Sequence, residues 1–202
     1  TVVELGPVVL TQVLPDVPLS LAPVANMGFA DERENDGQGG WSDQGSANDF
    51  ANFDFKAKEF GGIAFNVLDP AKNNGKAIVS FLGGSFQNGV TAVVLDAKQT
   101  GRKYLYLLHT MCFTPAPNTP VGKIEVAYQS GRTQSFEVKS GVDIADWWSP
   151  ADIANAKVVF AQNSRGVYLS KFALQNEPVR EIKLVTAQKG LWIVIGATLS
   201  SE

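Results

Sequence analysis

From Gly61 onward, short apolar segments alternate with polar residues and are cut by turn residues, a rhythm that fits an antiparallel sheet protein and little else. The clearest unit is Gly122 to Gln129, where Ile124, Val126 and Tyr128 alternate with Lys123, Glu125 and Ala127. Ser130-Gly131 makes a turn and Thr133 to Val138 returns with Phe136 and Val138, which predicts a hairpin. The same reading puts strands at Gly61 to Leu68, Ala77 to Leu82, Val90 to Leu95 and Lys103 to Thr110. Further strands are expected at Ala156 to Ala161, Gly166 to Leu174, Glu181 to Thr186 and Leu191 to Leu199. Asp69-Pro70, Asn73-Asn74-Gly75, Gly83-Gly84 and Thr100-Gly101 supply breaks between them. Helical turns are expected only at Ile144 to Trp148 and Pro150 to Asn155. Roughly ten short strands at this spacing predict an all-β antiparallel β-sandwich or jelly roll. The 202 residues are expected to form one domain. Residues 1–26, with Pro7, Pro15, Pro18 and Pro23, read as an extended lead-in carrying one edge strand.

Composition narrows the function classes. An apolar fraction of 45% excludes global disorder. A pI near 5.2 without a basic run argues against nucleic acid as a partner. The run Leu191 to Ala197 is strand-sized, so no membrane span is expected. No signal peptide is visible, and the start at Thr1 reads as that of a mature or excised chain. Cys112 is the single cysteine, which leaves neither an intramolecular disulfide nor a zinc site. His109, the single histidine, lies in the strand-like run YLYLLHT and is expected to be buried and hydrogen-bonded. Cys112 is three residues on, hence on the opposite strand face, which disfavours a Cys–His dyad. Tyr104, Tyr106, Tyr128 and Tyr168 read as strand packing, and no pair among the 20 acids is marked as catalytic. The expectation is a chain without turnover.

Asp31 to Asp54, DERENDGQGGWSDQGSANDFANFD, interrupts the strand rhythm. It holds seven acids and one base, Arg33, a net of −6; against a chain total of −3, the remainder is near +3. With four glycines and costly carboxylates, it is expected to form a long surface loop outside the core. Glu32, Glu34, Asp36, Gly37 and Asp43 approximate an EF-hand spacing, but Glu is too long at the first positions and flanking helices are absent from the pattern. A looser calcium site from Asp31, Glu34, Asp36 and Asp49 is the alternative, set against a loop that caps its own amides. Trp41 either stacks on a sugar ring or folds inward over the core. Asp36, Asp43, Gln44 and Asn48 are its candidate partners for sugar hydroxyls. Of Trp147 and Trp148, adjacent residues on extended chain, one is expected in the core and the other at the surface.

The phrases GFADERENDGQGGWSDQGSANDF, FGGIAFNVLDP, YLYLLHT, GKIEVAYQSGRTQSFEVKSGVDIADWW and EIKLVTAQKGLWIVIGATL follow in order from Gly28. Together they resemble the galactose-binding-like, discoidin-like β-sandwich modules attached to large bacterial glycoside hydrolases. The resemblance implies a non-catalytic bacterial module, secreted or held at the cell surface or in the periplasm, that binds a polysaccharide or its oligosaccharides beside a catalytic domain, with either a structural Ca2+ or no cofactor. The runner-up is a structural or docking domain that positions a catalytic neighbour and binds no sugar, and third is a small hydrolase or lyase. Loops gather at the ends of a sandwich, so the ligand site is expected at the end built by the acidic loop. One stacking ring and a few hydrogen bonds suggest affinities on the order of 10 µM to 1 mM.

Overall fold

Two antiparallel sheets pack face to face in the computed structural model, which describes residues 14–38, 40–99 and 102–202. Residues 1–13 of the lead-in and the expected Thr100-Gly101 turn lie outside the described residues. The larger sheet runs β1 (Val17–Leu19), β12 (Leu191–Ser200), β6 (Tyr104–Cys112), β10 (Arg165–Ala173) and β9 (Ala156–Gln162). Short β4 (Val79–Ser80) also pairs with β12, beyond the register shift between Val194 and Gly196 that separates it from β1. The smaller sheet runs β5 (Ala92–Gln99), β11 (Val179–Thr186), β7 (Pro120–Tyr128) and β8 (Thr133–Lys139). A separate hairpin joins β2 (Glu59–Phe60) to β3 (Ile63–Ala64). The chain is thus an all-β antiparallel sandwich. Among the described residues no helix is long and apolar enough to cross a membrane.

The alternating hairpin forms as its pattern requires. Ile124 pairs with Phe136 and Val126 with Gln134, and Gly131 takes φ 89° in the turn. Ile124, Val126, Ile182 and Leu184 of the small sheet meet Leu105, Leu107, Met111 and Val194 of the large one in the inter-sheet core. The large sheet differs, because β6 and β12 are apolar on both faces: YLYLLHTMC and LWIVIGATLS. A strand with that composition must be covered twice. Its outer face carries Leu108, Cys112, Ile193 and Ile195, and the cover is irregular chain between Met27 and Val67. A second core results, dense in rings: Phe29, Trp41, Phe50, Phe53, Phe60 and Phe65.

That cover corrects several expectations. The acidic segment does enter the core, through Trp41, Phe50 and Phe53, and it lies over a sheet face and not only at a sandwich end. The expected strand from Gly61 to Leu68 keeps its alternating burial at Ile63, Phe65 and Val67, but only Ile63–Ala64 finds a ladder partner. The rest runs extended within the covering layer. Helical turns do not form at Ile144 to Trp148 or Pro150 to Asn155; bridges Met111↔Asp146, Trp148↔Arg165 and Ile153↔Ala156 tie this chain to the sheet instead. The 3-10 turns are Ser46–Asn48 and Pro70–Lys72, the latter capped by the Asp69 carboxylate accepting from Ala71 N.

Candidate functional site

The loop of Asp31 to Asp54 is shaped by backbone contacts that only its glycines permit. A Cβ on Gly40 would stand 2.4 Å from the Gly28 carbonyl oxygen and 2.6 Å from that of Ala30. This close approach lets Trp41 N donate to Gly28 O at 2.8 Å and turns the indole inward. Trp41 is 0% exposed, 4.9 Å from Phe50 and 5.3 Å from Trp147 between ring centroids. A ring with no exposed face cannot stack on a sugar, so the platform role at Trp41 is corrected to a core role.

The carboxylates of the loop are largely spent on its own amides. Asp31 accepts from Gly45 N at 2.7 Å. Asp43 accepts from Asp36 N at 3.2 Å, Gly37 N at 3.0 Å and Asn88 Nδ2 at 2.9 Å. Asp49 accepts from Asp31 N at 2.9 Å and Ala51 N at 3.2 Å, and Asp36 from Gln38 N at 2.8 Å. This is how Asp31, Asp43 and Asp49 tolerate burial: their oxygens exchange water for backbone N–H groups.

One concentration of charge is left over. Oxygens of Asp31, Asp36 and Asp43 lie within 4.8 Å of one another, and among the described residues no lysine or arginine pairs with them. Two like charges 4.8 Å apart repel by roughly 1 kcal/mol in water and about 3.5 kcal/mol at an effective dielectric of 20. Burial pushes the Asp31 carboxyl above its usual range, and the charges of Asp43 and Asp36 push the same way against N–H donation from Gly45 and Arg33. Hard oxygen donors with lone pairs to spare fit Ca2+ chemically. The cluster differs from the expected set of Asp31, Glu34, Asp36 and Asp49. Asn35 (φ 58°) and Gly37 (φ 72°) reverse the chain so that Asp43 returns beside Asp36. Glu34 stays exposed outside the cluster, and Asp49 is occupied in capping.

Two depressions flank the cluster. The larger, about 850 Å³, has Phe29 and half-buried Phe55 in its lining, their rings stacked at 6.3 Å and 12°. Polar groups around it include Asn26, Asp31, Arg33, Asp36, Asn74 and Lys76. The smaller, about 250 Å³, is lined by Asn35, Asp43, Gln44, Gln87, Asn88 and Phe113 among others. Of the expected sugar-binding residues, Asp36 lines the groove while Asp43 and Gln44 line the smaller cleft. Asn48 lines neither; its carbonyl accepts from Ser42 Oγ at 3.4 Å inside the loop. Phe55 was not singled out by the sequence. Its signal was the pairing NFDF at the end of the acidic segment, two rings in a polar stretch with only one needed by the core.

The groups a nucleophilic mechanism would start from are sealed away. Trp192 Nε1 donates to His109 Nδ1 at 3.0 Å, so the imidazole carries its proton on Nε2 and donates to Ser170 Oγ at 2.7 Å. Ser170 in turn donates to the Asp143 carbonyl. Burial lowers the His109 pKa to about 3, and it pushes the Cys112 thiol well up. Cys112 belongs to the outer core and His109 faces the inter-sheet layer, as their spacing predicts. Trp147 is buried and Trp148 is 42% exposed, the division expected of adjacent residues. No protein-family model and no curated protein matches this chain.

Proposed function

We propose that this domain is a non-catalytic carbohydrate-binding module, with a galactose-binding-like jelly roll, that serves a secreted bacterial carbohydrate-active enzyme. The observation that carries the reading is the groove beside the acidic cluster, with apolar rings in its lining and hydroxyl-binding groups around them. Sugars present both chemistries, a C–H face that packs on a ring and hydroxyls that need donors and acceptors. Phe55 takes the platform role first expected of Trp41. Asp36, Asn26, Asn74, Arg33 and Lys76 supply polar contacts, and Asp43 with Gln44 serves the adjoining cleft. Ca2+ on Asp31, Asp36 and Asp43 would relieve their repulsion and hold the loop that forms one wall of the groove. The burial of His109 and Cys112 supports a role in binding over one in turnover.

Affinity electrophoresis through gels cast with xylan, galactan, mannan or mixed-linkage β-glucan tests the reading. Retardation by at least one polymer, weakened by Phe55→Ala and by chelation of calcium, is the expected result. Free migration in every gel would favour the alternative, a docking domain that positions a catalytic neighbour and binds no sugar. Sustained release of reducing or unsaturated ends by pure protein, abolished by one substitution, would make it an enzyme.

A further inference from the structure

Among the described residues the large hydrophobic side chains exposed to solvent are Val94 and Trp148, and Val94 belongs to the other sheet. Trp148 is held firmly despite its exposure. The Arg165 guanidinium lies over its ring, 4.7 Å from the centroid, and buried Trp147 backs it at 4.9 Å with a 54° tilt. Arg165 is itself anchored, donating to Asp49 O at 2.6 Å and Ala47 O at 2.5 Å. Trp148 N donates to Asp146 Oδ1 at 2.9 Å, and Ser149 N donates to Ser164 O at 2.7 Å. The indole is therefore pre-positioned, and little side-chain freedom remains to be lost when something packs on it.

The neighbouring chain is polar and conformationally unusual. Ser149 (φ 51°), Asn163 (φ 51°) and Ser164 (φ 60°) all occupy the left-handed region without being glycine, and all three are exposed. Among the described residues none of their side chains has a hydrogen-bond partner. Hydroxyl and amide groups thus stand unspent close in chain and space to a fixed aromatic ring. We propose that Trp148, with Ser149, Asn163 and Ser164, forms a second glycan-contact platform that stacks one pyranose ring and takes hydrogen bonds from its hydroxyls. A protein partner fits worse, because a specific interface buries on the order of 1,000 Å² around an apolar centre. Here the exposed residues that adjoin Trp148 and its bridge partner Arg165 along the chain are small or polar: Ser149, Ala151, Asp152, Ala161, Gln162, Asn163 and Ser164. The inference rests on the glycan-binding reading and adds a surface that shares no residue with the groove. Two contact points on one polymer bind through effective concentration, so the platform matters most for long chains.

Iodide quenching isolates Trp148, since Trp41, Trp147 and Trp192 are buried. The probes are soluble xylan, galactan, mannan and mixed-linkage β-glucan, read for quenching and for gel retardation in parallel. The expected result is that a polymer which retards the protein also at least halves iodide quenching, and that Trp148→Ala weakens retardation about 2–10-fold at an unchanged urea midpoint. Should Trp148→Ala fold poorly, the quenching of the parent protein still decides. Retardation with quenching unchanged overturns the Trp148 platform and leaves the groove standing. Protection of Trp148 with retardation indifferent to Phe55→Ala keeps the platform and removes the groove. No retardation by any polymer overturns both, and protection that rises with protein concentration alone reassigns Trp148 to self-association.

Discussion

Acidification from pH 7 to pH 5 probes one buried group above all, His109. The imidazole is fully buried, accepts from Trp192 Nε1 and donates to Ser170 Oγ, so the folded state holds it neutral with a pKa of about 3. In the unfolded chain the same group titrates near 6.5. The folded pKa is depressed, so between these values the unfolded state binds the extra proton. The contribution is complete above the unfolded pKa and is lost as pH falls toward the folded one. Over two pH units this difference removes about 2 kcal/mol, a substantial part of a typical domain stability of about 5–15 kcal/mol. Asp31 acts in the opposite sense, since its raised pKa makes acidification relieve its strain, and a control must separate the two. His109→Gln provides it, because an amide offers one acceptor and one donor to the same partners without a proton to gain. Urea unfolding at pH 7, 6 and 5 should show the parent losing about 2 kcal/mol more than His109→Gln across that range. Equal pH dependence in the two proteins would refute the reasoning. If the glutamine variant does not fold, the imidazole signals of the parent carry the test: they should show a proton on Nε2 and no titration above pH 4. An imidazole that titrates near 6.5 would mean that His109 reaches water.

Three further outcomes follow from the loop. Trp41→Ala should destabilise by about 3–5 kcal/mol, since it empties the space beside Phe50 and Trp147; a urea midpoint within error of the parent would return Trp41 to the surface. Calcium at about one hundred times its Kd should add about 2.7 kcal/mol, or roughly 5–10 °C in melting temperature, and Asp36→Asn should abolish most of that gain. A melting curve indifferent to calcium and chelator would leave the loop held by its own amides. Gly40→Ala should cost about 1–3 kcal/mol or more, read by urea unfolding, because its methyl group meets the Gly28 and Ala30 carbonyl oxygens; an unperturbed midpoint would show the loop free to lift away.

Period-two patterning made much of the sandwich legible. The β7–β8 hairpin and β11 form close to where alternation and turn residues put them, because each shows one face to a core and one to water; β10 also forms close to its expected place, although Gly166 to Ser170 are buried on both faces. β12 was legible differently, as a continuous apolar run bounded by Gly190. The covering layer was not legible. Its chain from Met27 to Lys58 is irregular, and its rings at Phe29, Phe50 and Phe53 follow no period that a strand or helix would impose; only Ile63, Phe65 and Val67 keep the alternation. The clue was indirect: β6 and β12 are apolar on both faces and so demand a second cover. Charge misled in the same place. Seven acids suggested a solvated loop, whereas backbone N–H groups satisfy Asp31, Asp43 and Asp49 in burial. The membership of the carboxylate cluster depends on the left-handed turns at Asn35 and Gly37, which linear spacing does not encode. Phe55 enters the groove because the second core already takes Phe53, a division visible only once that core exists.

The most direct measurement is a glycan array probed with the labelled protein in calcium and again in chelator, beside Phe55→Ala. Binding to a defined group of structurally related glycans is expected, reduced by chelator and largely lost in Phe55→Ala. Binding that survives both, or an array blank in calcium for a protein shown to be folded, would contradict the groove as a carbohydrate site.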